Sequence, residues 1–163
     1  MKKSIIALFL LLPAMQLCGQ EIYNKHYASA HAVINNPESP DHQVKLNHFY
    51  VTELNYLKSM AEKEMGTVTT TFLDTQAFYL TEFVGAFFKD LSQARLVSND
   101  CQQKVVMAYV QSSLDNPLFK DADEEKTLSF VNDPQYLTPF SLNTDWEKAF
   151  NEAKQKTSRI LKK

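Results

Sequence analysis

Between Phe72 and Ala94 the chain carries two apolar stripes at helical spacing. One runs through Leu73, Ala77, Leu80, Val84, Phe87 and Leu91, the other through Phe72, Tyr79, Phe83 and Phe87. Apolar residues at three-four intervals mark an α-helix. A helix apolar over most of its circumference has to be surrounded by others. Its polar side is narrow, limited to Glu82, Gly85 and Lys89, and Asp74 and Glu82 within the run argue against a bilayer span. An element of this kind needs amphipathic helices packed around it.

The rest of the chain supplies them. Residues 21–34 place Ile22, Tyr23, His26, Tyr27, Ala30, Val33 and Ile34 on one face, and Asn35-Asn36-Pro37 ends that helix. Ser39-Pro40-Asp41 reads as an N-cap followed by a first-turn proline. The second helix then runs over about 41–65, with Val44, Phe49, Leu54, Leu57 and Ala61 in its stripe and Gly66 as its stop. Thr67 to Thr71 reads as a β-branched connector to a third helix over about 72–95. A fourth helix over 99–115 opens at Ser98-Asn99, with Asn99 and Gln102 as a capping pair, and stops at Asn116-Pro117. A fifth over 144–162 opens on a Thr144–Glu147 capping box and ends in lysines that suit the helix dipole. Residues 116–143 form a long connection, with a short helix expected from Asp123 to Val131 and enough apolar residues to pack down. Only three glycines and six prolines occur, too few turn residues for a small barrel or sandwich. The expected fold is therefore all-α, an irregular four- to five-helix bundle with one long packed loop region, formed by a single domain over residues 20–163.

Residues 1–19 read as a cleaved signal peptide. Lys2 and Lys3 make a basic start, Ile5 to Leu12 an apolar run, and Leu17 and small Gly19 resemble the −3 and −1 positions of a signal-peptidase site. Lipid attachment at Cys18 is the lesser alternative, because bulky Leu17 stands where a lipoprotein site needs a small residue. The expected location is periplasmic or extracellular, with an outer-membrane lipid anchor less favoured. The exported chain keeps fifteen basic against nineteen acidic residues, a net charge of −4. That balance argues against nucleic-acid binding, where phosphate neutralisation dominates affinity, and against an electrostatic membrane anchor. No transmembrane helix is expected in the mature chain.

Cys101 is then the one cysteine left, which rules out an intramolecular disulfide. It reads as a free thiol, first as a buried one, with an intermolecular link or a nucleophile as alternatives. The histidines do not pair for a metal. His26 and His31 lie five apart and His42 and His48 six apart, where a zinc helix stacks two imidazoles four apart. Asp121-Ala122-Asp123-Glu124-Glu125 begins like a calcium loop. Lys126 then replaces the turn glycine and Asn132 the closing glutamate. Glu53 and Glu82 fall mid-helix and suggest a paired-carboxylate site, but no glutamate has a histidine three residues on, as four-helix carboxylate sites require. Neither a nucleophile elbow, a phosphate loop nor a C-x-x-C is present. No cofactor is expected.

The aromatic complement, which includes Phe49, Tyr50, Phe72, Phe78, Tyr79, Phe83, Phe87, Phe88 and Trp146, exceeds what a small bundle needs. Most of it should be core. Phe78, beside Glu82 and Lys89 on the polar side of the third helix, marks the surface where a partner would bind. Asp145-Trp146-Glu147-Lys148-Ala149-Phe150, continued by Ala153-Lys154 and Ile160-Leu161, resembles the helix that opens some secreted thioredoxin-like domains. The redox cysteines and following strands are absent, so the resemblance implies no redox activity. The functional expectation is an exported, non-catalytic binding or accessory module of the bacterial cell envelope, its partner an envelope protein or peptide. Two alternatives stand beside it. One is an enzyme whose site is assembled from separate helices, drawing on His26, His31, His48 or a glutamate. The other is a structural subunit that oligomerises through the third helix or Cys101.

Overall fold

The computed structural model describes residues 21–120, 128–133 and 136–162, with backbone only for 128–133 and 136–138. The signal-peptide and Cys18 expectations, and the acidic stretch from Asp121 to Glu125, lie outside the described residues. The elements are α1 (Glu21–Asn35), α2 (Asp41–Met65), α3 (Thr70–Arg95), α4 (Asn99–Leu114), a hairpin of β1 (Leu128–Asp133) and β2 (Tyr136–Ser141), and α5 (Trp146–Leu161). The fold is an all-α bundle with one two-stranded antiparallel hairpin.

The doubly striped helix is the centre. α3 packs on α5, α4 and α1 and, more lightly, on α2, while α1 and α2 pair with each other. The hairpin bridges the two sides, with β1 against α2 and β2 against α4. Between the helix pairs lies an aromatic cluster. Phe83 stands 5.0 Å from Tyr109 and 5.2 Å from both Phe140 and Trp146. Phe87 meets Tyr109 and Phe140 at 5.3 and 5.4 Å, and Phe49 closes the cluster from α2. The crossings are mostly edge-to-face, the geometry ring quadrupoles prefer.

Helix ends follow local chemistry with four corrections to the sequence expectation. α2 begins after Pro40, which itself occupies the cap position with extended backbone and offers no side-chain cap, so Ser39 is not the cap. α3 starts inside the threonine run, because the Thr69 side chain accepts the Phe72 N–H at 3.3 Å. Ser98, not Asn99, caps α4 by accepting the Cys101 N–H at 3.1 Å. Asp145, not Thr144, caps α5 by accepting the Lys148 N–H. Gly66 ends α2 at φ 69°, a left-handed angle that favours glycine. The first turn of α1 is capped in trans: the Tyr23 N–H donates to Asp74 Oδ1 on α3 at 2.9 Å, satisfying a donor that a helix start leaves free.

The expected helix from Asp123 to Val131 is a further correction. Its first part lies outside the described residues, and from Leu128 onward the chain is strand, paired from Leu128 with Ser141 to Asp133 with Tyr136. Pro139 sits inside β2 opposite Phe130. A two-stranded sheet consists only of edges, which is where proline is tolerated.

From Ser141 to Trp146 every residue is buried, and five of the six carry polar side chains or an indole N–H. This stretch holds together because its polar groups, the Trp146 indole N–H apart, meet partners from α3, α4 and residues 116–119. The Asn143 side chain accepts from the N–H groups of Leu118 and Phe119 and donates to the Phe119 carbonyl at 2.8 Å. Ser113 accepts the Ser141 N–H and pairs with the Thr144 hydroxyl, each within 2.9 Å. Gln76 accepts the Trp146 N–H at 2.9 Å and donates to Asp145 at 3.4 Å. Replacing Asn143 with Ala strands one buried carbonyl and two N–H groups. The expected loss is about 2–4 kcal/mol of folding free energy, read from urea melts against Asn151→Ala at an exposed site on α5. A loss under about 0.5 kcal/mol would show that Asn143 does not hold this crossing. Phe140→Ala should cost about 3–5 kcal/mol by opening the aromatic cluster.

Candidate functional site

Glu82 and Lys89 lie four and eleven residues after Phe78, so all three share one side of α3 with Gly85, and all are exposed. Phe78 is 43% exposed and rests its ring edge-on against Tyr79 at 5.2 Å. Tyr79 in turn meets Phe150 of α5 at 5.8 Å. Glu147 nearby raises the Tyr79 hydroxyl above its ordinary value, with burial adding to the shift. One end of the α3–α5 seam thus shows three aromatic rings. At the other end Lys89 and Gln93 join Asp90, Lys154 and Lys162 around a hollow of about 250 Å³.

Asp90 is the acid at the base of that hollow, and it is fully engaged. Its Oδ2 accepts from Tyr109 and Thr157, both at 2.8 Å, and Lys154 approaches at 3.3 Å. Three donors from α4 and α5 converge on one carboxylate of α3. Burial and then the hydrogen bond to Asp90 push the Tyr109 hydroxyl well above the ordinary tyrosine range, so it acts as a donor. The cluster braces three helices.

Glu53 and Glu82 are not a pair. Glu82 faces outward, and Glu53 is fully buried with both carboxylate oxygens unpartnered. The Tyr56 hydroxyl and the Trp146 indole N–H are likewise buried without partners. Desolvation drives Glu53 well above its ordinary value of 4.5, and the nearby Trp146 indole opposes that rise without reaching hydrogen-bond geometry. Burial raises the Tyr56 hydroxyl as well, and the charges that Glu53 and Glu64 carry when ionised add to the rise. Burial therefore favours the neutral Glu53 carboxyl in this setting between α2 and the start of α5. The sequence shows Glu53 mid-helix, but only the twist of α2 against the aromatic cluster buries it.

Cys101 is a free, buried thiol in the first turn of α4. Of the histidines, His31 lies against Tyr27 at 4.6 Å and His48 is exposed on α2. Burial, reinforced by Lys25, lowers His26. Among the described residues no three metal-capable side chains gather, and no helix is long and apolar enough to cross a membrane.

A surface that the helical pattern did not single out lies on α4. Leu96 and Val97, in the α3–α4 turn, are 90% and 63% exposed. Met107 and Leu114, seven residues apart on the outer side of α4, are 59% and 44% exposed. Shallow hollows of about 480 and 670 Å³ flank Met107, one beside Asn99 and Val106, the other reaching Arg159 and Ile160 of α5. The signal available in sequence was the pair Leu96-Val97 directly before the Ser98 cap. The spacing of Met107 alone cannot separate core from surface on a helix this evenly apolar. Comparison with known proteins finds no matching family model, no similar curated protein and no similar solved structure.

The neutral Glu53 has a pH signature. Its folded-state pKa lies above its unfolded value, so the folded chain binds the extra proton. Its contribution to stability is fully present below about pH 4.5 and is lost as pH rises toward the folded-state value. Glu53→Gln should flatten that part of the stability–pH curve. Glu53→Met, which removes two orphaned oxygens at similar volume, should raise stability at pH 7 by about 1–3 kcal/mol. A less stable Met variant would mean that the carboxyl is satisfied in solution.

Proposed function

We propose that this chain is an exported helical protein that serves as a non-catalytic binding or accessory module of the bacterial cell envelope. The observation that carries the binding reading is the grouping of Leu96, Val97, Met107 and Leu114 at one corner and along one helix face. A fold that buries Trp146 and Phe83 completely leaves these side chains in water. Apolar surface grouped in this way marks an interaction site more often than chance exposure does. The export part of the reading rests on the basic start, apolar run and small-residue junction of residues 1–19.

The α3 stripe of Phe78, Glu82 and Lys89 is the second place where a partner would bind, since Phe78 anchors a partly exposed aromatic row. Crosslinking in the native host, followed by recovery of the tagged protein and mass spectrometry, tests both surfaces. The expected result is one or two stoichiometric envelope partners. Their recovery should fall about tenfold in Leu96→Glu/Val97→Glu, the effect of about 1.4 kcal/mol. Partners lost in Phe78→Ala alone would assign binding to α3. A monomer without any partner above background would end the binding reading and turn attention to an enzyme with a dispersed site. A dimeric mass in solution would favour the oligomerising subunit.

A further inference from the structure

We infer that the groove between α4 and the C-terminal half of α5 receives an acidic amphipathic helix of a partner protein. The inference rests on the binding reading above and names the partner's chemistry. From Lys154 to the end of the chain there are five cations, Lys154, Lys156, Arg159, Lys162 and Lys163, and no carboxylate side chain, in a protein of net charge −2. The positive end is therefore local, set against an acidic whole. Two of the five cations, Lys156 and Arg159, flank apolar ground on the α4 side of α5, whereas Lys154 bonds Asp90 and Lys162 lines the hollow on the α3 side. Lys156, Arg159 and Ile160 form one wall of the 670 Å³ groove, and Gln103, Met107 and Gln111, spaced four apart, form the other.

The charges in the groove do not cancel. Lys104, Lys156 and Arg159 stand there against two carboxylates, Asp100 in the lining and Glu152 beside Lys156, an excess of one positive charge. Lys104 bonds Asp100, and Lys156 bonds Glu152 at 2.6 Å. Arg159 has no acidic partner among the described residues. Its planar guanidinium presents donors suited to a carboxylate. Between the charges, Met107, Ala108 and Ile160 supply apolar lining, and methionine adapts its shape to an incoming side chain. α4 has 16 residues, a length of about 24 Å. That length accommodates four turns of a helix laid alongside. Apolar anchors at i, i+3, i+4 and i+7 of such a helix would meet Met107 and Ile160, while acidic residues on its flank would meet Arg159 and Lys156.

The test places a photo-crosslinking residue at exposed Gln103 in the full chain, expressed in its native host. Parallel probes stand at Leu96, at Phe78 and, as a remote control, at Lys58 on α2. The expected result is an adduct from position 103 whose captured segment, mapped by mass spectrometry, is amphipathic and acidic. The double variant Lys156→Glu/Arg159→Glu, checked for an unchanged melting temperature, should lower its yield about tenfold. An adduct to a segment without acidic residues, or a yield that ignores charge reversal, overturns the proposal. So does flotation of the protein with phosphatidylglycerol vesicles that the same double variant abolishes, which would assign the groove to an anionic membrane surface. A partner captured only from Leu96 or Phe78 overturns the groove and leaves the binding module standing. No adduct above the Lys58 control from any position overturns both.

Discussion

Everything in this fold depends on how residues 141–146 are buried. A segment that runs from a strand into a helix through the centre of a bundle carries backbone donors and acceptors into an apolar region, where each unmet group costs about 1–3 kcal/mol. The chain meets this with side chains that imitate backbone. Asn143 takes both a carbonyl and two N–H groups from the Leu118–Phe119 stretch, much as a neighbouring strand does. Ser113 and Thr144 close the gap to α4. Gln76 does the same from α3, meeting the first N–H of α5 and its cap. With these bonds made, Phe140 and Trp146 enter the core from either end of the segment.

The aromatic cluster then joins the parts. Phe140 from β2 and Trp146 from α5 stand against Phe83 of α3, and Phe49 brings in α2. α2 packs only lightly on α3, so these rings join α2 to the centre, while α1 on α3 and β1 on α2 make the rest of the link. Polar braces fix the remaining angles. Asp90 gathers donors from α4 and α5, and Asp74 caps α1 from α3. Tyr23 returns the tie by donating to the Leu54 carbonyl, and its burial pushes the hydroxyl up to about 12. The rigid placement of α4 against α5 is what gives the outer surface its groove. Glu53 is the exception within this frame, a buried carboxyl whose oxygens have no hydrogen-bond partner and whose neutral form burial favours.

The helices were legible because each signal for them is local. Asn36-Pro37, Gly66 and Asn116-Pro117 interrupt helix through their own backbone preferences, and the apolar stripes between them have one period. The misread cap of α5 has a distant cause. Thr144 and Asp145 both offer a side-chain oxygen in the right place, and the choice between them was made by Ser113, which engages Thr144 from 31 residues away. Strand at Leu128–Val131 was missed for the same kind of reason. Four residues of which three are apolar, Leu128, Phe130 and Val131, suit helix and strand alike, and the partner strand contains Pro139, which reads as a break until the strand is known to be an edge. On the surface, the exposed side of α3 could be read from its periodicity, as the exposed Phe78, Glu82 and Lys89 show.

The sequence by itself determined the five long helical segments, their order and near limits, and the central role of the segment from Phe72 to Ala94. Helical period, prolines and glycines act within a few residues and need no knowledge of the rest. Only the tertiary structure decided that residues 141–146 run through the interior, that Glu53 is buried while Glu82 is not, and that cations of α5 face Met107 across a groove. Each of those outcomes depends on the rotation of one helix against another. That rotation is set by the combined packing of rings and hydrogen bonds between segments far apart in the chain, and no local pattern encodes it.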